Sequence, residues 1–346
     1  MLESEVLVGE YLLAKGLSRM PSATALLPPT RSIKIRGLDA YVSDIRFALT
    51  PDVCGQMNDL VAAATAHFKK EPTYVQREHN LPSLITRIDC TVTDDDAVIS
   101  IGHSDGWWDT VNGVVQPYEV EERPAGMGVT AMFNPQCRGM WEVMQGLWPE
   151  FGVVIELDRT WYDDDLIFPP GLVHFGPSPP GDGLLLVRAE REKPEYHVLA
   201  GRSVSTLRSE GDKSYGAKLG WWTLITSPAE LPEKGTGHTV LKPLVGSRTH
   251  GLIMAPSTNA TKQRGMSTRA RLIRGLESKI AASGGMYLQP WHPGLQAAGQ
   301  NMALRIFYGY DPAKDRWLCL SGMWALRGSA VVHGAEDTIF GPAVMV

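Results

Sequence analysis

Residues 240–251 read Val-Leu-Lys-Pro-Leu-Val-Gly-Ser-Arg-Thr-His-Gly, and a second apolar run, Leu252–Ala255, follows directly. An apolar run that enters a glycine-containing turn and leaves it as another apolar run predicts a β-hairpin, with Lys242 inside its first strand. A lysine in a strand core is unfavourable unless it is paired. An exposed strand edge beside an ordinary hairpin would satisfy it. So would a phosphate beneath a flexible turn, with the backbone N–H groups around Gly246, Ser247 and Gly251 holding the other phosphate oxygens.

The remaining periodicity predicts an α/β chain with α+β layers. Residues 50–69 read as a helix that Thr50 caps and Pro51 opens, with Val53, Met57, Leu60, Val61, Ala64 and Phe68 on one face. A second helix starts at Asn134-Pro135 and carries Met140, Val143, Met144 and Leu147 inward. Short apolar strands are expected at 153–158, 184–189 and 196–200. A helix at about 268–282, with Leu272, Ile273, Leu276 and Ile280 on one face, ends at Gly284-Gly285, and several strands follow it. Three regions result: an N-terminal helical, substrate-side segment (1–85), an acidic-strand and α/β centre (86–205) and a nucleotide-binding region (206–346).

Two acidic strands stand out. In Ile85-Thr-Arg-Ile-Asp-Cys90, Arg87 and Asp89 fall two residues apart and therefore on one side of a strand. Glu119 and Glu121 repeat that spacing in Tyr118-Glu-Val-Glu121. Three carboxylates and a guanidinium supply the hard oxygen ligands and the charge that magnesium and a transferring phosphoryl group require. Salt-bridged surface strands are the other reading of the same residues. Met286-Tyr-Leu-Gln-Pro-Trp-His292 is a strand that stops at a proline, where Gln289, Trp291 and the backbone could meet an adenine edge.

A net charge of −5 supplies no general basic field, so duplex nucleic acid is not favoured as the main partner. The basic run Arg264, Arg269, Arg271, Arg274 and Lys279 reads as a solvated helix face. The first 16 residues resemble neither a signal peptide nor a membrane span, and the four cysteines match no metal spacing. A cytoplasmic protein with reduced thiols and no membrane association is expected. The histidines His103, His174, His250, His292 and His333 show no ligand spacing, and only His250, in the glycine turn, is singled out.

Taken in order, the segments RID (87–89), EVE (119–121), LKPLVGSRTHG (241–251) and YLQPW (287–291) resemble the synthetase domain of the glutathionylspermidine synthetase family. That family is a circularly permuted branch of the ATP-grasp ligases, in which the magnesium-binding acids precede the nucleotide-binding lysine. The resemblance implies Arg87 at the transferring phosphoryl group and Asp89, Glu119 and Glu121 as magnesium ligands. It also implies Lys242 on the nucleotide phosphates, with Gln289 and its neighbours at the adenine. The family's second lysine maps onto Lys213, with Lys218 in competition. Residues 319–341 look like its closing strands. Two positions depart from the pattern: Glu121 stands where the family has an asparagine, and GSRTHG replaces a more acidic turn.

The resemblance implies an ATP- and magnesium-dependent ligase joining a small-molecule or peptide carboxylate to an amine through an acyl phosphate. Arg305, in ALRIFYGY, is a further candidate for the phosphates. A non-permuted mapping would instead place metal ligands at Glu336 and Asp337, beside Arg327 and His333. A phosphotransferase using the same nucleotide site and a non-catalytic ATP-grasp-fold binding protein are the alternative functions.

Overall fold

The computed structural model describes residues 31–35, 38–68, 85–93, 107–109, 113–121, 124, 126–149, 151–155, 167–168, 170–176, 178–187, 213–231, 239–244, 253–255, 268–290, 296–297, 300–327 and 338–345. The chain divides into two compact units, Met1–Leu207 with Pro293–Val346, and Arg208–His292. This differs from a continuous region over 206–346. After residue 292 the chain rejoins the larger unit, where its strand at 300–311 pairs with the strand at 85–93.

In the larger unit the chain runs through β1 (Arg31–Ile35), β2 (Leu38–Val42), β3 (Arg46–Leu49) and α1 (Pro51–Phe68). The described part of the N-terminal segment thus holds three short strands as well as the expected helix. Next come β4 (Ile85–Thr93), β5 (Trp107–Asp109), β6 (Val114–Glu121) and the short helices α2 (Met127–Ala131), α3 (Pro135–Arg138) and α4 (Met140–Leu147). Strands β7 (Phe151–Ile155), β8 (Val173–Phe175) and β9 (Leu184–Val187) form a small parallel sheet in the order β8-β7-β9. The strand expected at 196–200 lies outside the described residues.

The smaller unit holds α5 (Ser214–Lys218), β10 (Thr223–Ile225), β11 (Thr239–Pro243), β12 (Ile253–Ala255), α6 (Thr268–Ser283) and β13 (Met286–Pro290). Its antiparallel sheet has the order β10-β13-β11-β12. Leu241 on β11 and Met286 on β13 pack with Leu276 and Ile280 of α6, so that helix covers one face of the sheet. Gly284, at φ +77, ends α6 in the left-handed conformation that favours glycine.

Back in the larger unit, β14 (Gln296–Ala297), β15 (Gln300–Asp311), β16 (Arg316–Arg327) and β17 (Ile339–Met345) complete the main sheet. Among the described residues this is a ten-stranded mixed sheet with the path β1-β2-β17-β16-β15-β4-β6. β17 runs parallel to β2 and β3, whereas β15 is antiparallel to both β16 and β4. The architecture is mixed α/β, a mixed sheet with helices packed on it.

Helix α1 forms as its sequence predicts. Thr50 Oγ1 accepts the Val53 N–H at 3.3 Å, and Val53, Met57, Val61 and Ala64 are fully buried. Gln56 then ties this helix to the start of β6. Its amide donates to the Gly113 carbonyl at 2.8 Å, and its oxygen accepts the Val115 N–H at 2.9 Å. Tyr308 reaches α1 through its hydroxyl, which donates to the Cys54 carbonyl, whereas the next residue, Gly309, faces Met144 of α4. Successive strand residues point to opposite faces, so α1 and the short helices lie on opposite faces of the sheet.

Asn134 fastens those short helices. Its side-chain oxygen accepts the Gln136 N–H at 3.0 Å as the cap of α3. Its amide donates to the carbonyls of Gly322 at 2.7 Å and Ala343 at 3.0 Å, which lie across from each other on β16 and β17. Met140 and Met144 are buried as expected, but Val143 is 48% exposed because α4 starts afresh at Gly139 and turns that position outward. Asn134→Ala should therefore destabilise the fold by about 2–3 kcal/mol in urea unfolding, since it removes the cap and strands two buried carbonyls. Val143→Ala, at an exposed position, should change stability by less than about 0.5 kcal/mol.

Candidate functional site

The acidic strands come together as neighbours. β4 lies between β6 and β15, with Arg87 opposite Glu121, Asp89 opposite Glu119, and Arg305 opposite Asp89 on the other side. Directly opposed residues share a face, so five charged side chains from three strands occupy one patch. Arg305 grips Asp89 with two parallel bonds, Nε to Oδ1 at 2.9 Å and Nη2 to Oδ2 at 3.0 Å. Arg87 Nη2 donates to the same Asp89 Oδ2 at 3.0 Å and to Glu121 Oε1 at 2.9 Å. Arg87 and Asp89 are buried, at 3% and 5% exposure.

Gly126 closes on this patch from the loop before α2. Its φ of +87 and its approach to Arg305 both call for glycine, since a Cβ there would lie 3.2 Å from Arg305 Nη1. Sequence reasoning did not single out Gly126. The Gly126-Met-Gly128 pair just after the second acidic strand was the available signal.

Electrostatics make the patch asymmetric. Burial works against the charged form of Arg87, but the Asp89, Glu121 and Glu119 carboxylates outweigh it and hold its pKa above the usual value. Burial pushes Glu121 up to about 7, with Arg87 opposing the rise and Glu119 and Asp89 adding to it. Its side chain keeps 31% of its surface open, so it is the reachable end of the chain of charges. Three carboxylates face two guanidiniums, which leaves one negative charge in surplus.

That surplus suits a small hard cation with oxygen ligands at Glu119 and Glu121. Asp89, the third acid expected at that ion, has both oxygens bonded to arginine here. Among the described residues no three acidic, histidine or cysteine side chains are gathered to hold a metal.

A second group forms within the smaller unit. Lys242 on β11 is opposite Tyr287 on β13, and Val240 is opposite Gln289, so these four side chains share the sheet face away from α6. Lys242 and Gln289 are buried, at 7% and 5% exposure, and Lys213 is buried at 8%. Lys218 is exposed, so burial separates the two candidates for the second lysine in favour of Lys213. The Lys213 N–H donates to the Leu244 carbonyl at 3.3 Å, which brings it beside the end of β11.

Aromatic side chains surround the lysines. Trp222 lies with its ring centre 4.5 Å from Lys242 Nζ, and its indole N–H donates to the Lys213 carbonyl at 2.8 Å. Tyr215 packs edge-on against that ring, and Tyr287 tilts toward it. Trp222 and Tyr215 escaped the sequence reading, although the Trp221-Trp222 pair directly after GDKSYGAKLG was a signal.

Other expected residues are not positioned by the structure. Gly246, Ser247, Gly251 and Trp291 lie outside the described residues, as do His250, His292, His333, Glu336 and Asp337. No helix among the described residues is long and apolar enough to cross a membrane. No protein-family model matches the chain, and no curated protein matches it.

The charge arrangement predicts opposite outcomes at two acids. Asp89→Ala should lower unfolding free energy by about 3–5 kcal/mol, because the buried Arg87 and the partly buried Arg305 lose their shared partner. Glu121→Gln keeps an acceptor for Arg87 while removing the surplus charge, and should leave the urea midpoint unchanged or raise it.

Proposed function

We propose that this chain is an ATP-dependent ligase of the ATP-grasp type, in its circularly permuted branch. It joins a carboxylate to an amine through an acyl phosphate and releases ADP and phosphate. The observation that carries the reading is the burial of Lys213, Lys242 and Gln289 within the one smaller unit. Two lysines in one unit supply the positive charge that a nucleotide triphosphate calls for. Gln289, next to the proline that ends β13, adds polar groups suited to a base edge. The permuted branch gains support from β15, which leaves that unit and pairs with the Arg-x-Asp strand β4.

In this reading Lys242 and Lys213 hold the triphosphate by charge, Gln289 meets the adenine, and Arg87 offsets the charge that develops as the γ-phosphoryl group is transferred. Arg305 holds Asp89, and Asp89 in turn orients Arg87. Glu119 and Glu121 are the residues that would hold magnesium, whose chemistry there is to neutralise phosphate charge. A substrate carboxylate oxygen attacks the γ-phosphorus and ADP leaves. The amine nitrogen then attacks the acyl carbon, phosphate departs, and the nitrogen loses a proton to water. Most of the rate enhancement comes from positioning and charge, so no side-chain nucleophile is needed.

Hydroxylamine tests the intermediate, because this small nucleophile replaces the amine and traps an acyl phosphate as a hydroxamate. With ATP, magnesium and a pool of carboxylic acids, the protein should form hydroxamate without any other amine. Consumption of ATP that yields only a phosphorylated hydroxyl compound would instead assign a phosphotransferase. Failure to turn over ATP with any carboxylate–amine pair would reject both.

A further inference from the structure

Trp222 is buried at 3% exposure and stands between two sequence-distant lysines, yet the reaction proposed above gives it no part. Its two contacts are of different kinds. The ring face attracts the Lys242 ammonium group, with Nζ 4.5 Å from the ring centre, and indole is the strongest such partner among side chains. The indole N–H, at 2.8 Å, fixes the Lys213 carbonyl and hence the backbone from which the second lysine projects. One side chain thus meets the Lys242 ammonium group and the Lys213 backbone.

The surroundings keep that ring in place. A Cβ on Gly216 would fall 1.9 Å from the indole, so the α5 backbone is packed flat against it and a side chain there would shift the ring. Tyr215 meets the ring edge-on at 5.3 Å between ring centres, Trp221 at 6.0 Å, and Tyr287 tilts over it at 6.2 Å. A rigid ring against the Lys242 ammonium group limits the positions that group can take before a ligand arrives.

We propose that Trp222 is the positioning residue of the nucleotide site, holding the Lys242 ammonium group in place for a triphosphate. The proposal rests on the ATP reading given above. Its test is a double-mutant cycle in which the β,γ-imido analogue of ATP is titrated by calorimetry into full-length protein. Trp222→Leu should weaken binding about tenfold when Lys242 is present, and by less than about threefold in a Lys242→Met background. Trp222→Phe, which keeps a ring, should recover most of the loss. Gly216→Ala, which drives a methyl group into the indole, should reproduce the same dependence on Lys242 and carries the test if the leucine variant does not fold. An equal loss from Trp222→Leu or Gly216→Ala in both backgrounds would make Trp222 a structural core residue and overturn the proposal. Unaltered protein that binds no analogue would overturn the ATP reading as well, so the two failures are distinguishable.

Discussion

Asp89 is the point on which the larger unit's chemistry hangs. Its carboxylate is gripped by Arg305 from β15 and by Arg87 from its own strand, and Arg87 in turn reaches Glu121 on β6. A buried carboxylate with two guanidiniums is tolerable, whereas any of these groups alone would meet a large desolvation penalty. The arrangement therefore requires β6, β4 and β15 to lie side by side in one register, and it requires Gly126 to leave room beside Arg305. Buried ion networks contribute little net stability compared with an apolar core of the same shape. Their value lies in specifying geometry, and here they aim Arg87 and the reachable Glu121 at one patch.

Much of the local structure was legible in the sequence. The face of α1 that Val53, Met57, Val61 and Ala64 form, the N-cap at Asn134 and the glycine stop after α6 all follow from short-range rules. So did the hairpin around Lys242, because its strands are adjacent in the chain. The two-residue spacings of Arg87 with Asp89 and of Glu119 with Glu121 told which side chains share a face. They could not tell that Arg305, more than 200 residues away, takes both oxygens of Asp89. Pairing over such a separation depends on the whole sheet, and no local pattern encodes it.

The unit boundary was missed for a related cause. Residues 206–346 read as strands on both sides of one long helix, and nothing in composition marks residue 292 as the place where the chain leaves one sheet for another. Trp222 was missed because an aromatic side chain has no signature that separates a core residue from one that orients a cation. Burial of both lysines against it became visible only when α5, β11 and β13 were assembled. Each unit presents the same physical motif, a cation held by rigid neighbours before any anion arrives, by carboxylates in one and by an indole in the other.

The account assigns binding of the nucleotide to one set of cations and stabilisation of the departing phosphoryl group to another. Calorimetry with a non-hydrolysable ATP analogue on Lys242→Ala and Arg87→Ala separates those roles, once both variants are shown to be folded. Loss of Lys242 removes a charge-assisted contact of about 1.5–3 kcal/mol, so binding should weaken roughly 10- to 150-fold. Arg87→Ala should bind the analogue nearly as well as the unaltered protein, while its turnover falls by a factor on the order of 10³. Equal loss of binding in both variants, or no binding by the unaltered protein, would contradict the account.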